Sequence, residues 1–318
     1  MKPLTRNEAA NFFVERDHFA ILTHRRPDGD TVGSAAALCR ILRNQGKTAH
    51  VLENPEVTDR YAYLFDGISK SAAEENDVLV AVDVAAPNML PVCFEQYLDS
   101  IALRIDHHGS ATSFTEYELV DPQAAACAEI IYDVMMELWG ELDRNTAEAM
   151  YIAVSTDTGC FRFSNTTDHT FLVAAACAAA GAPIYELNQK LFETNTLAKL
   201  RMQAWIVEHL KMLRCGRRAI VAIPKAVEEA IGVTEDDMDN ISNFPRTVAG
   251  VQMAATLRQT RDGMTKISIR AIPGFDATQV AKQFGGGGHK GAAGASTHMS
   301  LEETAAAVER AMTEEMDC

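Results

Sequence analysis

The sequence predicts an α/β protein, with a doubly wound, mainly parallel sheet in the N-terminal part and a smaller α/β domain after it. Three observations predict it. Short apolar runs alternate with amphipathic helical runs through the first half, the pattern of a parallel sheet with helices on both faces. The rhythm changes near residues 190–200. At 318 residues the chain exceeds one typical core and suffices for two.

In chain order, the strand-like runs of the first half are residues 20–23, 48–52, 78–84 and 101–105, and the helical runs are 31–45, 124–139, 145–154 and 167–180. Gly46 suits the position just past the first of these helices, where a left-handed residue is favoured. Asp143 suits an N-cap, and Gly181-Ala182-Pro183 ends the Ala-rich helix. Residues 193–213 read as one long polar–apolar helix. Beyond it, 219–223 reads as a strand, 225–231 as a short helix, and 248–257 with 265–271 as two β runs joined around Arg261-Asp262-Gly263, a hairpin signal. Residues 276–284 are helical, Gly285-Gly286-Gly287-Gly288-His289 follows, and 300–316 forms a closing helix. The expected division is 1–190, a connector helix over 191–214, and 215–318.

Composition narrows the functional classes. Hydrophobic residues make up 47% and charged residues 23%, ordinary for a globular chain. A net charge of −15 argues against a broad grip on long duplex nucleic acid, which needs many Lys and Arg at phosphates. The 7 cysteines are scattered without a CxxC pair, so neither a zinc ribbon nor a disulfide framework is indicated and a reducing cytoplasm fits. The N-terminal residues lack a signal-peptide apolar region, and no apolar run approaches the roughly 18 residues of a membrane span. A homodimer is compatible with the chain, though no feature of the sequence argues for one.

The stretch His24-Arg25-Arg26-Pro27-Asp28-Gly29-Asp30 puts one imidazole and two carboxylates between a strand-like run and a helical one. Sites in open α/β sheets are built at that carboxyl edge. Taken alone, it could equally be a solvated turn with an N-cap aspartate. Asp83 ends an apolar strand-like run, Asp106-His107-His108 ends another, and Asp157 stands in Ser155-Thr156-Asp157-Thr158-Gly159 at the end of a helical run. A doubly wound sheet brings strand ends to one edge. Unpaired, the carboxylates of Asp28, Asp30, Asp83 and Asp157 would repel one another at one edge unless cations neutralise them. Ligands of carboxylate and imidazole without thiolate suit Mn²⁺, with Fe, Co or Zn as other options. Cys160 beside this motif could be a nucleophile, but its neighbours suggest packing.

The glycine run has a chemistry of its own. Consecutive glycines let backbone N–H groups approach an anion closely, and His289 can donate to a phosphate or stack on a base. A flexible loop is the plainer alternative. Strand alternation places Ser268 and Arg270 on one face. Arg270 suits bidentate phosphate binding as well as it suits an exposed ion pair.

The order H-x-x-x-D-x-D, a lone Asp, D-H-H, then D-T-G strongly resembles the DHH phosphoesterase family, in residues 23–38, 80–87, 104–110 and 155–167. Residues 284–294 resemble the glycine-rich signature of the C-terminal domain that accompanies DHH domains. The resemblance implies a DHH catalytic domain over 1–190 and a substrate-binding domain over 215–318. It implies that His24 and Asp28 hold one metal, Asp30, His107 and Asp157 a second, and that Asp83 bridges the two. Asp106 would orient an imidazole, and His108 would face the substrate phosphate. Arg270, Ser268, Gly286, Gly287, Gly288 and His289 would contact substrate, and Mn²⁺ is the family's usual activator. Members often carry an Asn shortly after D-H-H, where this chain has Gly109-Ser110-Ala111-Thr112, and S-x-R-S where it has Ser268-Ile269-Arg270-Ala271.

The compact two-domain form resembles the family's nano-RNase and pAp phosphatase branch. That implies hydrolysis of very short oligoribonucleotides, and of 3′-phosphoadenosine 5′-phosphate (pAp), to mononucleotides by water activated between two metals. The runner-up is a soluble phosphodiesterase of linear or cyclic dinucleotides. An inorganic pyrophosphatase or exopolyphosphatase is more distant, and a non-catalytic nucleotide sensor is the alternative of a different class.

Overall fold

In a computed structural model, which describes residues 2–109, 112–213, 216–238, 241–260 and 263–315, the chain divides into two compact units, Met1–Thr194 and Asn195–Cys318. Unit 1 runs β1 (Lys2–Pro3), α1 (Arg6–Glu15), β2 (Phe19–Leu22), α2 (Gly29–Asn44), β3 (Ala49–Leu52), β4 (Ser69–Lys70), β5 (Val78–Val82), β6 (Ile101–Asp106), β7 (Tyr117–Val120), α3 (Cys127–Trp139), α4 (Arg144–Asp157), α5 (Asp168–Ala179) and α6 (Ile184–Asn188). Its strands form a parallel sheet in the order β1-β7-β6-β5-β2-β3-β4. From β2 the chain moves outward to β3 and β4, then returns to β5 on the opposite side of β2. The reversal of strand order between β2 and β5 opens a crevice at their carboxyl ends.

The central strands β2 and β5 are wholly apolar because both faces are covered. Phe19, Ile21, Val80 and Val82 join the larger core with α1–α5, whereas Ala20, Leu22, Leu79 and Ala81 point to the other face. That second face departs from expectation. It is covered by 3-10 segments over Pro87–Met89 and Val92–Ser100 and the link between them, with Leu90 of the link and Phe94 of the second segment in its core. Pro87 and Pro91 each remove a backbone donor and fix φ, so the chain turns there without continuing into α-helix. The short strand β7 and its parallel partner β1 are also additions to the expected set.

Helix α2 starts at Asp28, whose carboxylate accepts from the N–H groups of Asp30 and Thr31, and ends before Gly46 at φ +76. It crosses α4 closely: a Cβ on Gly33 would lie 2.4 Å from the Ala149 carbonyl oxygen. That approach brings the start of α2 and the end of α4 to the same crevice. Asp143 caps α4 through the N–H groups of Asn145 and Thr146.

Unit 2 runs α7 (Leu197–His209), β8 (Lys211–Met212), β9 (Arg218–Ile223), α8 (Lys225–Ile231), α9 (Glu235–Met238), β10 (Met253–Gln259), β11 (Thr265–Ala271), α10 (Ala277–Lys282), β12 (Gly287–His289), β13 (Ala292–Thr297) and α11 (Leu301–Glu315). The sheet order is β12-β13-β11-β10-β9-β8, with β9 and β10 parallel and the other pairs antiparallel. The long helix expected over 193–213 is shorter. Thr196 caps it through the Lys199 N–H, and its end passes into β8, which pairs with β9. The antiparallel β10–β11 pair is present, while Arg261 and Asp262 of the expected hairpin turn lie outside the described residues. Among the described residues, no helix is long and apolar enough to cross a membrane.

Candidate metal centre

The crevice of unit 1 collects eight polar side chains from three adjacent strands and one helix. His24, Asp28 and Asp30 follow β2, Asp83 follows β5, Asp106, His107 and His108 end β6, and Asp157 is the last residue of α4. Asp30, Asp83 and Asp106 are buried, as are His24 and His107, while Asp28 is exposed. Their ligand atoms form three overlapping groups: His24 with Asp28 and Asp83, Asp30 with His107 and Asp157, and Asp83 with His107 and His108. Asp83 occurs in two of them and lies between the outer ligands.

The backbone aims these groups. Asp83 adopts φ +59, a left-handed conformation that costs a non-glycine residue of order 1–2 kcal/mol, and its N–H is held by the Ile105 carbonyl at 2.8 Å. Asp30 is fixed by Ser34 Oγ at 2.8 Å and by the N–H groups of Cys127 at 2.6 Å and Ala128 at 3.3 Å, at the start of α3. Asp106 Oδ1 accepts from the His107 N–H, the His108 N–H and His108 Nδ1, the last at 2.8 Å.

Two imidazoles have their tautomers set by backbone. His24 Nδ1 meets the Arg25 carbonyl at 2.8 Å, and His107 Nδ1 meets the Ala124 carbonyl at 3.1 Å. A carbonyl can only accept, so each Nδ1 carries the proton and each Nε2 is left facing carboxylates. His24 Nε2 stands 3.5 Å from Asp28 Oδ1 and 3.4 Å from Asp83 Oδ2. His107 Nε2 stands 3.3 Å from Asp157 Oδ2, 3.5 Å from Asp83 Oδ1 and 3.7 Å from Asp30 Oδ2. These separations are long for hydrogen bonds but suit donors sharing a cation, since two bonds of about 2.1 Å at ordinary coordination angles set their donors roughly 3–3.5 Å apart. Asp83 Oδ1 is buried with no hydrogen-bond partner among the described residues, an orphan that a cation would satisfy. The residues present therefore fit divalent metal.

The electrostatics point the same way. Burial and the Asp83 charge push Asp30 up to about 7, and burial with the Asp30 and Asp28 charges holds Asp157 well above the carboxylate range. Burial opposes charge on His24 and His107, yet Asp28 and Asp83 raise the first and Asp83 and Asp30 the second. The charge and hydrogen bond of His24 bring Asp28 down to about 2. Without cations the cluster must retain protons to remain in one place.

Unit 2 presents Arg270, Ser268, Gly287 and His289 on one sheet face, whereas Gly288 pairs with Ala293 and falls on the other and Gly286 precedes the strand. Antiparallel register sets Arg270, Ala292 and His289 in one row across β11, β13 and β12, and Ser268, Gly294 and Gly287 in the next, so each row shares a face. Ala292, Gly294 and Gly287 leave a floor of small residues between Arg270 and His289. Arg270 Nε donates to Asn243 Oδ1 at 3.0 Å. The glycine run is an edge strand over its last part, where a loop was the plainer expectation. A Cβ on Gly286 would lie 2.1 Å from the Gly294 carbonyl, so only glycine permits this approach.

Several residues that organise the centre escaped the sequence reading. Arg104, buried, donates to the carbonyls of Ala85 and Thr112 and to Glu118, tying the segment after Asp83 to the segment after His108. Asn165 Nδ2 bridges the carbonyls of Ala125 and Asp157. Ser34 lies four residues after Asp30 on the same helix, a spacing that could have flagged it. Burial raises the Cys160 thiol, which agrees with packing. Ser110 and Ala111 lie outside the described residues, and Thr112 N–H bonds the Ala85 carbonyl.

Known proteins match this chain over most of its length. Residues 18–154 match the model of the DHH family, N-terminal domain, and residues 222–314 match the DHHA1 domain. The bifunctional oligoribonuclease and PAP phosphatase NrnA of Thermus thermophilus is 31% identical over 93% of this chain and 89% of its own length. The Bacillus subtilis protein of that name is 28% identical over 89% of this chain and 90% of its own. Among solved structures, an exopolyphosphatase-related protein from Bacteroides fragilis has a TM-score of 0.84 at 22% identity, covering 97% of this chain and 95% of that one. That last likeness concerns the fold.

Proposed function

The chain belongs to the DHH family, and from that premise we propose that it is a metal-dependent phosphoesterase that cleaves very short oligoribonucleotides and pAp to mononucleotides, using two Mn²⁺ ions. The observation that carries the reading is Asp83, whose two oxygens face His24 at 3.4 Å and His107 at 3.5 Å, so that one carboxylate serves both sides of the centre. His24 and Asp28 would hold one ion, and Asp30, His107 and Asp157 the other. When bound, the pair supplies a hydroxide nucleophile near neutral pH, because metal binding lowers the pKa of water from about 15.7 to about 7.

The protein's own groups do the rest. Asp106 holds His108 Nδ1–H at 2.8 Å, and the ring would donate to a phosphoryl oxygen through Nε2. Burial opposes the charged ring, but Asp106 and Asp83 raise its pKa, so the donor stays protonated as charge grows on that oxygen. In unit 2, Arg270 would take a phosphate, His289 would stack on a base or donate to phosphate, Ser268 would add a hydroxyl, and Gly286–Gly288 would bring backbone to the ligand. A substrate of two to five nucleotides offers few phosphates, which agrees with a net charge of −15. The scattered cysteines, without a CxxC pair, suit an enzyme of the reducing cytoplasm.

The test is turnover in Mn²⁺ of pAp, a 5′-phosphorylated dinucleotide, a 24-mer RNA, a cyclic dinucleotide and pyrophosphate, with Asp83→Ala as control. Fast cleavage of the first two, lost in the variant, is the expected result. Equal rates on the 24-mer would remove length selectivity. Activity confined to the cyclic dinucleotide or pyrophosphate would replace the substrate, and no turnover on any would leave the nucleotide-sensor reading.

A further inference from the structure

Both imidazoles that face Asp83 through Nε2 are held in the same unusual way. The Ala124 carbonyl that receives His107 Nδ1 at 3.1 Å belongs to the peptide group whose N–H, on Ala125, donates to Glu129 Oε2 at 3.0 Å. The Arg25 carbonyl that receives His24 Nδ1 at 2.8 Å belongs to the peptide group whose N–H, on Arg26, donates to Glu56 Oε2 at 2.9 Å. His108 differs, since Asp106 receives its Nδ1–H directly.

We propose that Glu129 and Glu56 are positioning residues for His107 and His24, each acting through one intervening peptide group to fix the ring and raise the basicity of its Nε2. The proposal rests on the metal-centre reading above. A carboxylate accepting from a ligand imidazole is known to orient it and strengthen it as a donor. Hydrogen bonds in series polarise one another, so an anion on the peptide N–H makes the carbonyl at its other end a better acceptor for the imidazole proton.

Two details favour this over simple structural roles. Glu129 is buried, and its Oε1 has no hydrogen-bond partner among the described residues. Capping Ala125 N–H needs only an acceptor, which an uncharged amide would supply without the cost of burying a charge. At the other site Arg26 takes φ +52, a strained conformation for arginine that presents its N–H to Glu56. Two separate segments, after β2 and before α3, thus reach the same three-part arrangement. Glu56 is exposed, so water and salt weaken its effect relative to that of Glu129.

The test is Mn²⁺ titration followed by electron paramagnetic resonance on wild type, Glu129→Gln and Glu56→Gln, with melting curves. It is joined by the histidine Nδ1–H proton resonances of the metal-free proteins. Gln keeps the acceptor and removes the charge. Glu129→Gln should weaken one of two Mn²⁺ ions about tenfold and move the His107 Nδ1–H resonance upfield while melting stays near wild type. Glu56→Gln should move the His24 resonance and weaken the other ion by about threefold. Equal affinities and unmoved resonances in both variants would overturn the relay while leaving the metal centre in place. A wild-type protein that binds no Mn²⁺ would overturn the metal-centre reading and the relay with it. Should Glu129→Gln fail to fold, the exposed Glu56→Gln decides the matter at the second histidine.

Discussion

Under the proposed function, the carboxyl edge of the first sheet and the glycine strand of the second would bind charge in opposite ways. At the first, function resides in side chains that are buried and held from several directions: Asp30 by three donors, Asp106 Oδ1 by three, His24 and His107 by backbone carbonyls. At the second, it would reside in the backbone of Gly287 and Gly288 on an exposed edge strand that ends in His289, with Arg270 in the same row across β13. A site made of over-determined side chains should fail abruptly when one is removed. A site made of backbone should fail when a side chain is added, and a single flanking contact there should matter moderately.

The largest effect should come from Asp83. Asp83→Ala should lower turnover more than about 100-fold, beyond the usual cost of losing a residue that merely orients a ligand, and should lower the Mn²⁺ count per chain. Retention of both ions would break the contrast at its strongest point.

Steric additions come next. Gly33→Ala forces a Cβ against the Ala149 carbonyl where α2 crosses α4, and Gly286→Ala forces one against the Gly294 carbonyl. Each should cost about 1–3 kcal/mol, read by denaturant unfolding. Gly287→Ala meets nothing within 4 Å, so its stability should match wild type.

Acidity then separates the two forms of unit 1. Asp30 at about 7 and the raised Asp157 bind protons more tightly folded than unfolded. So do the raised His24, His107 and His108. The folded metal-free protein thus holds more protons between pH 5 and 8, and its stability should fall as pH rises through that window. We expect the melting temperature of metal-free protein to drop on the order of 5 °C from pH 5.5 to 8. Metal needs deprotonated ligands, so Mn²⁺ affinity should rise over the same range. Parallel trends for the two would refute this assignment of protons.

The smallest expected effect is that of Arg270→Ala, about tenfold in KM with the Mn²⁺ count unchanged. A change in metal content instead would place Arg270 in a different role.

Much of this was legible in the sequence, for identifiable reasons. Apolar runs ending in Asp or His mark strand ends, and spacing sets His24, Asp28 and Asp30 on a single strand-to-helix turn. The positions of Ser268 and Arg270 on one face follow from alternation. What was not legible depends on chain crossings. Nothing local states that β5 lies beside β2, or that Asp30 meets the N–H groups of Cys127 and Ala128. The relays escaped for that reason, since Arg26 meets Glu56 from another segment, and Glu129 reads as an ordinary first-turn acid of α3. The 3-10 cover on the second face and the pairing of the glycine run with β13 were missed because Pro and Gly mark turns without stating what the chain packs on next.

The most direct test of the central claim is anomalous scattering from crystals grown with Mn²⁺. Two peaks flanking Asp83, one beside His24 and Asp28 and the other beside Asp30, His107 and Asp157, are expected. A single peak away from Asp83, or none at this edge, would contradict the account.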